Sequence, residues 1–342
     1  MGGETISGSS RMKGGSANFD KIPLTAKVVE EIVGAFGQAI SDLYVKNSSS
    51  LAKLIDHFGK SLKLDASVRY LAEEEFGVLG LIDASECPPT YGSRFDDVRG
   101  FIFKGWEVMD NRESLESFTK DIDETKISFN DCSERTQSDE NLHVIVNVSE
   151  SDEFSKATEA LRRKISGECL TIQDESTPED NPMSLSFLLF DQADAQLTEL
   201  KGASSLIKLL QQFVRHLQFK LILNAGSTGG HVLKGKVAKN RMIDVKVSNS
   251  KLLERGTGIV ETFASCKKDV AFTSILKVIH DTDNLPDALL NEEETFHIKK
   301  ATPMNNIIPR AILLSSNRAQ TVAEATRILK ENPVIRNAIL KD

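Results

Sequence analysis

Cysteine is scarce in this chain, and the cysteines that are present lie far apart. The 342 residues contain four of them, Cys87, Cys132, Cys169 and Cys266, with no Cys-x-x-Cys pair and no histidine at the spacing of a zinc site. The six histidines are likewise isolated along the sequence. We therefore expect reduced thiols, no metal site and no cofactor.

Long apolar runs and an excess of positive charge are also missing. No uninterrupted apolar run approaches the roughly 18 residues of a membrane-spanning helix, and the first ten residues lack the order of a signal peptide. A net charge of -8 and a pI near 5.5 provide no overall basic field for nucleic acid or an anionic membrane. We expect a protein of the cytoplasm and nucleus whose partners are metabolites or proteins.

Signatures of common enzymes are absent as well. The sequence has no GxSxG, HExxH, P-loop or kinase motif. No catalytic residue is predicted from the motifs.

The middle of the chain alternates between strand and helix patterns. Strands are predicted at residues 67–71, 100–103, 143–148, 169–172 and 184–190, and helices at 26–44, 48–64, 76–84, 152–165 and 204–223. This alternation favours an α/β fold with a parallel sheet flanked by helices. Residues 110–140 and 174–181 are polar or acidic and are predicted as surface excursions.

The end of the chain has only helical patterns. Residues 251–264, 270–280 and 321–330 carry apolar residues at helical spacing, and Thr321 with Glu324 predicts a capping box. A small all-helical domain is expected to follow the sheet.

Several stretches together resemble one protein family. They are residues 8–15 (Gly-Ser-Ser-Arg-Met-Lys-Gly-Gly), 82–92 (Ile-Asp-Ala-Ser-Glu-Cys-Pro-Pro-Thr-Tyr-Gly), 97–101, 227–236 (Ser-Thr-Gly-Gly-His-Val-Leu-Lys-Gly-Lys), 240–244 and 248–252. In these stretches the chain resembles the glucokinase regulatory proteins, which share the sugar isomerase (SIS) fold with bacterial N-acetylmuramic acid 6-phosphate etherases.

The resemblance implies a specific domain order. It assigns residues 1–45 to the C-terminal remnant of a first SIS domain, 46–245 to a second SIS domain and 246–342 to a helical cap. Loss of most of the first domain would expose an apolar face, because the two SIS domains of the family pack as a pseudo-dimer. We therefore expect self-association through that face.

The resemblance also implies a function. Members of the family inhibit glucokinase in animals, and fructose 6-phosphate strengthens the complex whereas fructose 1-phosphate weakens it. The expected partners are therefore a glucokinase or hexokinase and a fructose phosphate, and the expected protein is not an enzyme. The alternative is an etherase or sugar-phosphate isomerase, truncated here; the two etherase glutamates belong to the first domain, which this chain largely lacks.

The first candidate ligand site is the glycine-flanked loop near the start of the chain. A Ser-Ser-Arg-Lys loop that opens a helix can bind an anion through backbone N–H groups, hydroxyl donors and the helix dipole. By resemblance Ser10 lines the fructose phosphate site beside Ser9, and Arg11 and Lys13 supply positive charge or orient the loop. The alternative is a flexible N-terminal tail.

Lys236 is the second candidate. By resemblance this lysine reaches the ligand from the far side of the cleft and pairs with its phosphate. The alternative is a solvated lysine, which with Lys234 and Lys239 keeps a helix end soluble.

The acidic run Glu73-Glu74-Glu75 lies where a sugar isomerase fold would otherwise bind phosphate, between a strand and the following helix. Three carboxylates there should repel an anion. We therefore expect the second SIS domain to lack a phosphate site at this turn.

Overall fold

A five-stranded parallel sheet organises the first part of the protein. The computed structural model describes residues 25–109, 126–135, 140–147, 151–174, 184–187 and 204–340. The strands are β1 (Val68–Ala72), β2 (Val98–Ile102), β3 (Leu142–Asn147), β4 (Glu168–Asp174) and β5 (Ser184–Phe187), in the spatial order β2-β1-β3-β4-β5. Every neighbouring pair is parallel, which confirms the predicted α/β architecture.

Helices cover both faces of this sheet. They are α1 (Ala26–Lys46), α2 (Ser48–Lys63), α3 (Glu74–Tyr91), α4 (Phe129–Ser133), α5 (Asp152–Arg162) and α6 (Ser204–Lys234). Side-chain caps fix several starts: the Thr25 hydroxyl accepts from the Val28 N–H at 3.3 Å, and the Ser151 hydroxyl accepts from the Phe154 N–H at 3.3 Å.

The alternation of side chains along each strand divides the core into two layers. On one face, β1 and β3 pack Tyr70 and Val144 against Phe58 of α2 and Phe219 of α6. On the other face, a smaller cluster contains Leu71, Phe101, Ile145, Phe154, Leu161 and Cys132, with α4 and α5 as its cover. The helix α6 is the central element of the first layer, because α1, α2 and α3 all contact it.

The remainder of the described chain is a helical unit with its own core. A short hairpin of β6 (Val237–Ala238) and β7 (Arg241–Met242) leads into α7 (Ser250–Ala264), α8 (Lys268–His280), α9 (Asp287–Leu290), α10 (Glu294–Ala301), α11 (Ile307–Ser315), α12 (Val322–Glu331) and α13 (Ile335–Leu340). Its core includes Val260, Ile275 and Ile312, and also Ile243 and Val245, which precede α7. The boundary between residues 245 and 246 stays a prediction.

The structure differs from the sequence-based expectations at several places. The helix α6 continues eleven residues beyond 223, to Lys234, and α3 continues through Pro88 and Pro89 to Tyr91. Part of the predicted surface excursion is buried, because Ile127 and Cys132 are 3% and 0% exposed. The Ser128–Asp131 capping box starts a short helix there, which gives that polar sequence its local structure.

The predicted capping box at Thr321 forms only in part. The Thr321 hydroxyl accepts from the Glu324 N–H at 3.1 Å, as expected. The Glu324 carboxylate accepts instead from the N–H of Gln320, at 2.8 Å. None of the helices within the described ranges is long and apolar enough to cross a membrane.

Candidate functional site

Lys236 is positioned by the end of α6 and the hairpin that follows it. The Lys236 N–H donates to the carbonyl oxygen of His231 at 2.9 Å, which closes the helix end. The Lys236 carbonyl oxygen accepts from the Ile243 N–H at 3.0 Å across the hairpin. Lys239 and Asn240 form the turn with positive φ angles of 45° and 59°, as a tight two-residue hairpin requires.

The hairpin places Asp244 directly beside Lys236. Their side chains form a hydrogen-bonded ion pair, and the two residues are only 9% and 1% exposed. Lys236 is therefore not a solvated lysine at a helix end, and that interpretation was wrong. A buried ion pair of this kind is costly to break, since the remaining charge would have no partner.

Asp244 also joins the sheet-containing unit to the helical unit. Its carboxylate accepts from the N–H of Asn306, at the start of α11, and Arg310 lies close enough to attract it. Burial raises the pKa of the Asp244 carboxyl, and Lys236, Arg310 and the Asn306 N–H offset part of that rise. The Asp244 carboxylate thus interacts both with Lys236 and with the helical unit.

Gly92 packs against the other side of Asp244. It ends α3 with φ +57°, and a Cβ atom there would lie 2.5 Å from the Asp244 carbonyl oxygen. Gly92 and Asp244 line a small cleft with Lys246, Met304, Asn305 and Asn306, among other residues. The cleft lies between the two units, beside the buried ion pair.

Two stacked rings, those of Tyr91 and His231, lie near the junction of the sheet-containing unit and the helical unit. Tyr91 and His231 have ring centroids 4.1 Å apart and planes 9° from parallel. The His231 Nδ1–H donates to the Ser227 carbonyl oxygen at 2.7 Å, and the Tyr91 hydroxyl bonds the Thr228 hydroxyl at 2.8 Å. Burial lowers the pKa of His231 to about 4, so that the ring is neutral at pH 7. These contacts connect residues 227–231 of α6 to the end of α3.

A polar network holds α3 against α6 farther along the same interface. The Tyr70 hydroxyl donates to Asp83 at 2.8 Å, and the Lys220 ammonium donates to Asp83 at 3.0 Å and to Glu86 at 2.8 Å. Burial raises the pKa of Asp83, an effect that Lys220 and Tyr70 partly offset. Asp83 and Glu86 therefore have a packing role inside the stretch 82–92.

The other predicted site residues are those of the glycine-flanked loop, whereas Lys234 belongs only to the alternative of a solvated helix end. Ser9, Ser10, Arg11 and Lys13 lie outside the described residues, so their role stays a prediction. Lys234 is bound by Asp65, at 2.9 Å, and does not share the Asp244 contact.

The acidic run at the end of β1 is located as expected. Glu73 and Glu74 follow Ala72 directly, and the Glu75 carboxylate accepts from Gln212 of α6 at 3.0 Å. Burial alone would raise the pKa of Glu75, but hydrogen bonds from its own backbone N–H, Gln212 and His216 lower it. A negative charge therefore persists at this turn.

Asp244 is the residue of this site that sequence reasoning missed. It lies within the stretch 240–244, but its separation of eight residues from Lys236 does not predict an ion pair between the two. The signal that could have found it is the Lys-Asn pair at 239–240, since Asn tolerates positive φ and favours a tight turn.

Two family models match the chain in consecutive order. Residues 45–155 match the second SIS domain of glucokinase regulatory protein, and residues 239–339 match the C-terminal lid domain of glucokinase regulatory protein. The first match covers α2 to the start of α5, and the second covers the hairpin turn and the helical unit.

Individual relatives come from two groups. The glucokinase regulatory protein of Xenopus laevis is 26% identical over 359 residues, covering 99% of this chain and 57% of that protein. The human protein is 28% identical, covering 99% of this chain and 56% of its own length. The N-acetylmuramic acid 6-phosphate etherase of Prochlorococcus marinus (strain NATL1A) is 30% identical over 269 residues, covering 76% of this chain and 80% of the etherase. The chain spans little more than half the length of the regulatory proteins it matches.

Proposed function

Since the chain belongs to the sugar isomerase family that includes glucokinase regulatory proteins and N-acetylmuramic acid 6-phosphate etherases, we propose that it is a regulator of the first kind. It binds fructose 6-phosphate or fructose 1-phosphate and inhibits a glucokinase or hexokinase. The observation that carries this proposal is the match to both regulator models, second SIS domain and lid, in one chain. The absence of enzymatic activity is part of the proposal.

Lys236 is the described residue that supports sugar-phosphate binding. It lies at the junction of the two units, and its ammonium group is held in place by Asp244. A lysine held in this way can pair with a phosphate dianion with little further ordering of its side chain. Ser9, Ser10, Arg11 and Lys13 are proposed to bind the other side of the ligand.

The Asp244 contact suggests how a ligand signal reaches the helical unit. A phosphate that pairs with Lys236 competes with Asp244 for the same ammonium group. Asp244 then depends more strongly on the Asn306 N–H and on Arg310, both of which belong to the helical unit. Two fructose phosphates that bind Lys236 differently would therefore favour different arrangements of Asp244 and the helical unit. The ligand would act by shifting the populations of these arrangements.

The experiment for this proposal is a glucokinase velocity assay with increasing amounts of the purified chain. Inhibition is expected, strengthened by fructose 6-phosphate and relieved by fructose 1-phosphate. The Lys236→Met variant should lose the response to both sugars, whereas Lys251→Met, at an exposed position, should keep it. No inhibition at micromolar chain would contradict the proposal.

An etherase is the second candidate function, because the Prochlorococcus etherase matches over 80% of its own length. The test is incubation of the chain with N-acetylmuramic acid 6-phosphate and detection of ether cleavage by mass spectrometry. We expect no cleavage. Turnover that scales with chain concentration would favour the enzyme over the regulator.

An apolar stripe on α1 supports self-association as a further part of the proposal. Val29, Val33, Ile40 and Tyr44 share one side of this helix and are 46%, 58%, 36% and 46% exposed. Sedimentation at micromolar concentration should show oligomers that Val33→Glu weakens; a monodisperse monomer would contradict this. We also propose that the protein resides in the cytoplasm and nucleus, which imaging of a tagged chain would test.

A further inference from the structure

A row of polar side chains crosses the sheet at the amino ends of its strands. Arg69 of β1 is in register with Arg99 of β2 and with His143 of β3, and His143 is in register with Cys169 of β4. In-register residues of parallel strands point to the same face, and neighbouring strands are about 4.8 Å apart. The row shares its face with Leu71, Phe101 and Ile145, under the cover of α4 and α5.

Several nitrogen atoms in this region are buried and lack a partner. Among the described residues, Arg69 Nη1 makes no hydrogen bond, and the ring nitrogens of His143, which is only 1% exposed, make none of normal geometry, although the Glu168 backbone lies close enough to raise the pKa of His143 in part. The Nε of Arg162 is also buried without a hydrogen-bond partner, although its Nη2 donates to the Thr171 hydroxyl. Buried side-chain nitrogens in native proteins nearly always have partners, so these atoms point to a ligand.

The electrostatics of the row favour an anion. The nearby carboxylate of Asp96 is engaged by Arg99 at 3.2 Å and by Arg135 at 3.6 Å, and it is half exposed. Arg99 is further fixed over the ring of Phe95, at 4.6 Å from the centroid. Burial lowers the pKa of Arg69 and of His143, and Arg69 itself disfavours the charged form of His143, while Asp96 and the Glu168 backbone offset part of these effects. An anion between the two side chains would reverse both effects.

The donor set fits an oxyanion better than water or a metal ion. A guanidinium group presents parallel N–H donors that match two oxygens of a phosphate or sulfate, and the imidazole can donate to a third. A water molecule would supply no charge to offset the partly buried arginine, and the surrounding cations would repel a metal ion.

We propose that Arg69 and His143, with Arg162 beside the next strand, form a binding site for a small oxyanion of the phosphate class at the amino edge of the sheet. The site is separate from Lys236 and does not depend on the proposed function. Its ligand is either free inorganic phosphate or the phosphate group of a phosphorylated metabolite.

The experiment is thermal unfolding and calorimetric titration of the full chain with inorganic phosphate, against sodium chloride of equal ionic strength. Phosphate should raise the Tm saturably in the wild type and in Lys236→Met. Arg69→Met should lose this rise and weaken the Kd about tenfold or more, since it removes a charge-assisted hydrogen bond. Without phosphate, Arg69→Met should be about as stable as the wild type, because the buried Nη1 of Arg69 has no hydrogen bond to lose.

Controls separate the site from general effects of charge and folding. Arg163→Met removes an exposed arginine at the end of α5 and should keep the full phosphate response. His143→Leu is a second variant that should lose it, in case Arg69→Met folds poorly. A wild-type response no larger than that of chloride, or an unchanged Kd in a folded Arg69→Met or His143→Leu chain, would overturn the proposal.

A final arm distinguishes the two sources of the anion. Fructose 6-phosphate is added to Lys236→Met, in which the proposed regulatory site is disabled. A rise in Tm that requires Arg69 identifies a phosphate ester as an accepted ligand, and a rise with inorganic phosphate alone identifies the free ion. Loss of fructose phosphate binding at Lys236 with an intact phosphate response shows that the two sites are independent.

Discussion

Replacing Lys236 by methionine removes the ammonium group but keeps an unbranched side chain of similar reach. Asp244 is 1% exposed, so its carboxylate would be left buried with the Asn306 N–H and the more distant Arg310. Breaking a buried ion pair by removing one partner typically costs about 3–5 kcal/mol. We expect the free energy of unfolding of Lys236→Met to fall by an amount in this range at pH 7.

The loss should depend on pH, with a sign that follows from Asp244. Without Lys236, burial raises the pKa of the folded Asp244 carboxyl further. In the unfolded chain this carboxyl loses its proton above its ordinary pKa near 3.8, whereas in the folded chain it keeps the proton to a higher pH. The folded state therefore holds more protons, and stability falls as the pH rises. The destabilisation by Lys236→Met should be smaller at pH 5 than at pH 8.

The assay is urea unfolding followed by far-UV circular dichroism. Lys251→Met is the matched control at an exposed position and should stay within about 0.5 kcal/mol of the wild type. Lys236→Met/Asp244→Asn should recover a large part of the loss, since no buried charge remains and the amide oxygen can still accept from Asn306. A free energy of unfolding of Lys236→Met within about 1 kcal/mol of the wild type would refute this reasoning, because removing one partner of a buried ion pair should be strongly destabilising.

Three further predictions concern the same joint. Lowering the pH from 7 to 5 should reduce the free energy of unfolding of the wild type by about 2 kcal/mol through His231, because the unfolded ring takes a proton near pH 6.5 and the folded ring only near pH 4. Urea unfolding of His231→Phe at both pH values should show a correspondingly smaller loss. Gly92→Ala should lower stability by about 1–3 kcal/mol, since φ is +57° and the new Cβ would meet the Asp244 carbonyl oxygen; an unchanged Tm would contradict this. Tyr91→Phe should cost only about 1 kcal/mol in urea unfolding, the net value of its hydrogen bond to Thr228, and a much larger loss would show that the hydroxyl has another role.

Local periodicity was sufficient to predict most of the α/β architecture. The strand β3 and the helix α5 were recognisable because apolar residues recur at the period of each element. The parallel sheet followed from their alternation with other strands and helices. The order β2-β1-β3-β4-β5 was beyond this reasoning, since strand order depends on contacts between distant segments.

The length of α6 shows where local reasoning fails. Residues 227–230 (Ser-Thr-Gly-Gly) read as a helix end, because glycine and β-branched residues have low helix propensity. In the structure the glycines allow close contact with α2: a Cβ at Gly229 would lie 2.6 Å from Ile55, and one at Gly230 would lie 2.8 Å from Phe58. Tertiary packing therefore outweighs propensity at these positions.

The site was predictable in part. Lys236 was identified by resemblance, whereas its partner Asp244 required the geometry of the hairpin. The row formed by Arg69 and His143 was not predictable, because only the register of β1 and β3 brings residues 74 positions apart together. Sequence separation conceals such pairs, and single residues of a strand do not indicate which neighbours they meet.

Calorimetric titration of fructose 6-phosphate and fructose 1-phosphate into the purified chain tests the central claim most directly. The account predicts saturable binding of both sugars, weakened in Ser10→Ala and lost in Lys236→Met/Asp244→Asn apart from any part that requires Arg69, with Lys251→Met unchanged. The double variant is the decisive one, because it removes Lys236 without leaving a buried unpaired carboxylate. No binding to the wild type, or equal binding to the folded double variant, would contradict the claim that Lys236 forms a sugar-phosphate site.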